Sequence, residues 1–74
     1  MLHIGNSVKA VLHERGISVA AFARALPCSR ENAFRILRRS DMDTALLRRI
    51  CLVLDHDFFA DLSRAGDYGG KKDL

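Results

Sequence analysis

The chain has 74 residues, 49% of them apolar, a single proline and a net charge of +3, the profile of one small folded domain and not of a disordered chain. No apolar run approaches the ~18 residues of a membrane span. The opening stretch MLHIGNSVKAVLHERG lacks the unbroken apolar core and small-residue cleavage site of a secretion signal, so a soluble protein of the cytoplasm is expected.

A domain of this size buries only about 60% of the surface its unfolded chain exposes, so its helices must pack efficiently. Ile4, Val8, Val11 and Leu12 recur at helical spacing and predict a first helix. Gly16 ends it in the left-handed conformation, with Ile17 packing back on the last turn. Ser18 is an N-cap for a second, short helix, VAAFARAL, with Phe22, Ala23 and Leu26 inward and Arg24 outward. Pro27 stops that helix because a proline there cannot continue the hydrogen-bond ladder. Ser29 caps a third, RENAFRILRR, whose inner face is Ala33, Ile36 and Leu37.

Asp43 caps a fourth helix, with Leu46, Leu47, Ile50, Cys51 and Leu54 as its apolar stripe. Asp57 caps a last short helix carrying Phe58, Phe59 and Leu62. From Arg64 the periodicity stops, and residues 64–74 read as a flexible tail behind a single domain of residues 1–63. The expected fold is all-α, a compact five-helix bundle.

Few residues suggest chemistry. Cys28 and Cys51 fall where small apolar residues would serve and are expected to be reduced and buried. His3, His13 and His56 are scattered, with no pair at ligand spacing, so no metal or other cofactor is expected. Asp55, Asp57 and Asp61 read as turn and capping residues. No nucleophile with an adjacent base and no phosphate-cradling glycine loop is present, so an enzyme is not expected, and no small-molecule ligand is evident.

The charge is unevenly spread. Residues 1–23 carry +1, residues 24–54 carry +4 and residues 55–74 carry −2. Every cation of the middle segment is an arginine, whose planar fork suits phosphate and guanine edges. Within it, residues 18–39 form a capped helix, a short turn and a second capped helix, with small Ala23 at the crossing. This is the packing demand of a helix-turn-helix.

On these residues the chain resembles the Cro and phage-repressor type (XRE-like) regulators of bacteria and phages. The resemblance spans residues 4–62 and rests on Ile4-Gly5, Gly16-Ile17-Ser18, Phe22-Ala23, Leu26, Ser29, Ile36, and Leu46-Leu47, Ile50 and Leu54 leading into Asp57-Phe58. It implies a lambda-repressor-like domain and a transcriptional regulator that binds double-stranded DNA sequence-specifically, docking helix 30–39 in the major groove. The base-reading positions of such proteins fall on Arg30, Glu31 and Arg35, with Phe34 adjacent. Arg30 and Arg35 would each place a fork on a guanine. Glu31 either accepts from a cytosine or holds Arg35 at i+4. Phe34 either meets a thymine methyl or packs in the core.

Arg38, Arg39, Ser29 and the first amides at Ser18 and Val19 are placed for phosphates. Arg48 and Arg49 are expected on a solvated face. The resemblance also implies a homodimer, for which Phe58, Phe59 and the tail are the candidate seam. Two positions depart from the pattern. Pro27 stands where glycine is usual, so the turn must be built differently. Ala33 stands where a larger apolar residue is usual, so a neighbour, Phe34 or a rearranged helix, must fill that part of the core.

The competing reading is a protein-interaction module, antitoxin-like or a phage accessory factor, with the same helices turned to another protein. Four arginines on the third helix and its end favour nucleic acid over that reading. RNA is the weaker nucleic-acid option, because no stacking aromatics sit on a sheet or loop.

Overall fold

The structure, a computed structural model, describes residues 3–65. Five helices follow in order: α1 (Ile4–Arg15), α2 (Val19–Ala25), α3 (Arg30–Leu37), α4 (Thr44–Leu54) and α5 (Phe58–Ala65). The described residues contain no strand, and no helix among them is long and apolar enough to cross a membrane.

The helix starts follow from local chemistry. Ser18 Oγ accepts from the Ala21 amide at 3.1 Å, Ser29 Oγ from Asn32 at 3.0 Å, Asp43 Oδ1 from Leu46 at 2.7 Å and Asp57 Oδ1 from Ala60 at 3.1 Å. Each such cap stabilises its helix by about 1 kcal/mol. The start of α1 is capped by His3, whose Nδ1 accepts from the Asn6 amide at 3.0 Å, a cap that a histidine does not advertise in sequence. Gly16 closes α1 at φ 67°, and the Ile17 amide returns to Leu12 O at 2.9 Å, as the glycine predicts. Asp55 closes α4 the same way at φ 50°, a left-handed position that aspartate tolerates better than most residues.

The inward residues of all five helices meet in one cluster, with Val8, Ala33, Ile50 and Phe58 completely excluded from solvent and Ile4 and Phe22 nearly so. Helix α3 packs against both α1 and α2, and α5 returns to α1. The α1–α3 approach is close enough to exclude a side chain at Gly5. A Cβ there would strike the Leu37 carbonyl and lie 2.6 Å from Arg39 O. In that contact the Gly5 amide donates to Arg39 O at 2.9 Å and the Ile4 amide to Ser40 O at 3.1 Å. The free amides of one helix start are thus satisfied by the carbonyls that follow another helix.

Several expectations need correction. Helix α3 ends at Leu37, with Arg38 as its C-cap, so Arg38 and Arg39 are not part of it. Their amides close tight bonds to Arg35 O and Ile36 O, and the chain then turns to present its carbonyls to α1. Arg64 and Ala65 belong to α5, with Arg64 paired to Asp61, so the helix passes the expected boundary at residue 63. The rest of the expected tail lies outside the described residues.

Cys28 and Cys51 are free but only half-buried, and Cys51 Sγ accepts from the Phe58 amide at 3.4 Å. Asp61 caps nothing. It binds His56 Nε2 at 2.7 Å and Arg64, while the His56 ring lies 4.5 Å from that of Phe58. Phe58 is fully buried within its own chain and is removed from the candidate dimer seam, whereas Phe59 is half-buried.

A candidate nucleic-acid interface on α3

Burial divides α3 cleanly. Ala33, Ile36 and Leu37 face the core, while Arg30, Glu31, Asn32, Phe34 and Arg35 face solvent, followed by exposed Arg38 and Arg39. At 3.6 residues per turn, Arg30, Phe34 and Arg38 form one row, with Glu31 and Arg35 beside it. The expected base-reading residues Arg30, Glu31, Phe34 and Arg35 therefore share one surface.

Phe34 is 45% exposed, which removes the core reading for that residue. The small Ala33 is not compensated by Phe34. It is itself completely buried where α3 packs on its neighbours, so helix approach fills the space.

The arginines of this face are uncommitted. The ion pairs among the described residues are His56–Asp61 and Arg64–Asp61, and neither involves α3. Glu31 does not hold Arg35. The Arg35 Nη1 leans instead on Asn32 Oδ1 at 3.5 Å, at the limit of a hydrogen bond. Asn32, absent from the contact residues expected from sequence, is thereby the residue nearest to orienting Arg35. Its signal was present as an amide at i−3 from an arginine.

The turn before α3 is built without a left-handed residue. Among the described residues, positive φ occurs only at Gly16 and Asp55. Leu26 stays right-handed as the C-cap of α2, and the Cys28 amide reaches back to Ala23 O at 2.7 Å, so Pro27 is carried inside this loop with no amide to satisfy.

The Leu26 carbonyl is taken by Arg49 Nη2, reaching across from α4. Arg49 thus adds a tie to the turn while remaining exposed, as does Arg48, in keeping with the solvated face expected for both. Arg15 makes the equivalent tie from α1 to Leu54 O at the end of α4. Such ties cannot be read from spacing. The hint was that a helix end without glycine leaves carbonyls in need of donors.

The remaining predicted contacts flank this face by sequence. Ser18 and Ser29 are exposed, and each hydroxyl already accepts from its own helix, so what they offer beyond the cap is a remaining O–H donor. Val19, half-buried, begins α2. Groups of three or more His, Cys, Asp or Glu able to hold a metal ion are absent among the described residues. Comparison with protein-family models, with curated proteins and with solved structures returns no match.

Proposed function

We propose that α2, its turn and α3 form a helix-turn-helix of the lambda-repressor kind, and that the protein is a transcriptional regulator binding duplex DNA with α3 in the major groove. The observation that carries this reading is the outward face of α3 and its end: four arginines without ion-pair partners among the described residues, grouped around an exposed phenylalanine. A folded domain gains nothing in stability from such a face, and four like charges in so short a segment repel one another until an anion is present. The groove, about 12 Å wide, admits one helix with its side chains.

The roles follow from reach and shape. Arg30 and Arg35 read guanine through O6 and N7, and Arg35 is steadied by Asn32. Glu31, exposed and unpaired among the described residues, accepts from a cytosine amino group. Phe34 packs on a thymine methyl. Arg38 and Arg39, beyond the last helical turn, hold phosphates with Ser29 and with Ser18 and Val19 at the start of α2. The rival protein-interaction reading would use Phe34 as its anchor, but the arginines around it favour a polyanion.

Fluorescence anisotropy with mixed-sequence duplex at ~50 and ~200 mM salt tests this directly. Affinity is expected to fall steeply between the two, and Arg35→Ala to weaken binding further by about 1–3 kcal/mol. A folded protein that ignores duplex DNA at the lower salt would end the proposal.

A further inference from the structure

The exposed face of α3 carries three different chemistries side by side. Phe34, Glu31 and Arg35 stand about 40°, 100° and 140° around the helix from Arg30, from the 3.6-residue turn. The buried Ala33, Ile36 and Leu37 occupy the opposite side, so Glu31 lies near the middle of the outward face. Across that face the order is apolar ring, carboxylate, guanidinium fork.

The three groups also come to similar heights along the axis. Side chains lean toward a helix N-terminus, and Arg35 shows it: its Nη1 lies 3.5 Å from Asn32 Oδ1, almost a turn back. The fork therefore comes near the level of Glu31 without pairing to it, since neither residue takes part in an ion pair among the described residues. Phe34, three positions after Glu31 and 45% exposed, is its neighbour on the other side.

The major-groove edge of a C·G pair has the complementary order. From the purine side it shows guanine N7 and O6, two acceptors, then the cytosine N4 amino group, a donor. Beyond the amino group lies cytosine C5. We propose that α3 reads one such pair whose cytosine is methylated at C5. Arg35 forks onto N7 and O6, Glu31 accepts from N4, and Phe34 covers the methyl group. This rests on the reading of α3 as the groove-facing helix and deepens it. A helix lying along the groove sets its circumferential order across the groove, which is the direction of a base pair's edge.

The alternatives each leave one group unmet. Unmethylated cytosine offers Phe34 no methyl group. Thymine has the methyl but shows O4 in place of the amino group, an acceptor that the carboxylate repels. Carrying Glu31 against the bases without a donor costs its hydration, so the carboxylate sharpens the choice. Thymine suits Phe34 only where Glu31 faces a different pair. Arg30, on the far side of Phe34, is left for a neighbouring guanine.

The test uses the full chain and two randomised duplex pools, one copied with cytosine and one with 5-methylcytosine. Fluorescence anisotropy at ~50 mM salt then compares the best-bound duplex carrying cytosine, 5-methylcytosine or thymine at each C·G position, with adenine opposite the thymine. At one position methylation should tighten binding about fourfold, the worth of one buried methyl group. Thymine at that position should bind about tenfold more weakly than 5-methylcytosine. Phe34→Ala should erase the difference between cytosine and 5-methylcytosine. Glu31→Gln, whose amide also donates, should narrow the gap between 5-methylcytosine and thymine. Circular dichroism confirms the fold of both variants.

Duplex binding with no position sensitive to C5 methylation would overturn the proposal and leave the reading of α3 standing. A methyl preference that survives Phe34→Ala would overturn it too. So would a site that takes thymine as well as 5-methylcytosine, which would put the methyl contact and Glu31 on separate pairs. A folded chain that binds neither pool would end both readings.

Discussion

Gly5 shows what a single hydrogen in place of a methyl group can decide. Its position allows the start of α1 to dock on the carbonyls beyond α3, and through them it helps fix where the arginine-bearing face begins and ends. Gly5→Ala forces a methyl group into backbone atoms that cannot yield, so a loss of about 1–3 kcal/mol in urea unfolding is expected. An unchanged midpoint would mean the two helices are not in this contact.

Phe34 supplies the opposite case, a large apolar residue that the core does not need. Phe34→Ala should change stability by less than about 0.5 kcal/mol, whereas Ile36→Ala should cost about 2–5 kcal/mol. Comparable losses at both positions would place Phe34 in the core and remove it from the interface. At this scale the sequence was ambiguous for a clear reason. Phe34 adjoins small Ala33, and only the approach of α3 to its neighbours determines whether the space beside an alanine is empty.

Helices were the most legible level. Ser18, Ser29, Asp43 and Asp57 cap the helices that their side-chain chemistry predicts, and Gly16 ends α1 as glycine should. Legibility failed where one helix answers the needs of another. The third helix looked two residues longer than it is, because the carbonyls of Arg39 and Ser40 just beyond it are claimed by the start of α1, a contact between residues far apart in sequence. Arg49 is exposed as expected, but nothing near it in sequence shows that it also reaches Leu26 O.

That tie bears on the turn containing Pro27. Arg49→Ala leaves the Leu26 carbonyl without this donor and should cost about 1–2 kcal/mol. The same variant should weaken DNA binding more than the distance of α4 from α3's outward face would suggest, because the tie holds the end of α2. If stability and binding both match wild type, water replaces the guanidinium and the turn does not depend on it.

For the molecule as a whole, the two outward surfaces divide the charge as the chain does. The arginine-rich middle segment supplies the α3 face, and the acidic segment after α4 supplies one side of a shallow groove that Arg48, Leu52 and Phe59 also line. On the proposed reading a single domain supplies one half-site of contacts, so its binding is expected to be weak. Arg38→Ala should then reduce affinity evenly across DNA sequences and lower the salt slope by about 1, while Arg35→Ala should also relax sequence preference. Equal loss of preference in the two variants would mean that no division exists between base and phosphate contacts.

The most direct measurement is a backbone amide NMR titration of the protein with a duplex selected from a randomised pool. If α3 reads the major groove, the largest shifts fall on Arg30, Glu31, Phe34, Arg35 and Arg38, with lesser ones at Ser18 and Val19. Shifts concentrated on the α4–α5 groove, with α3 silent, would contradict the proposed docking.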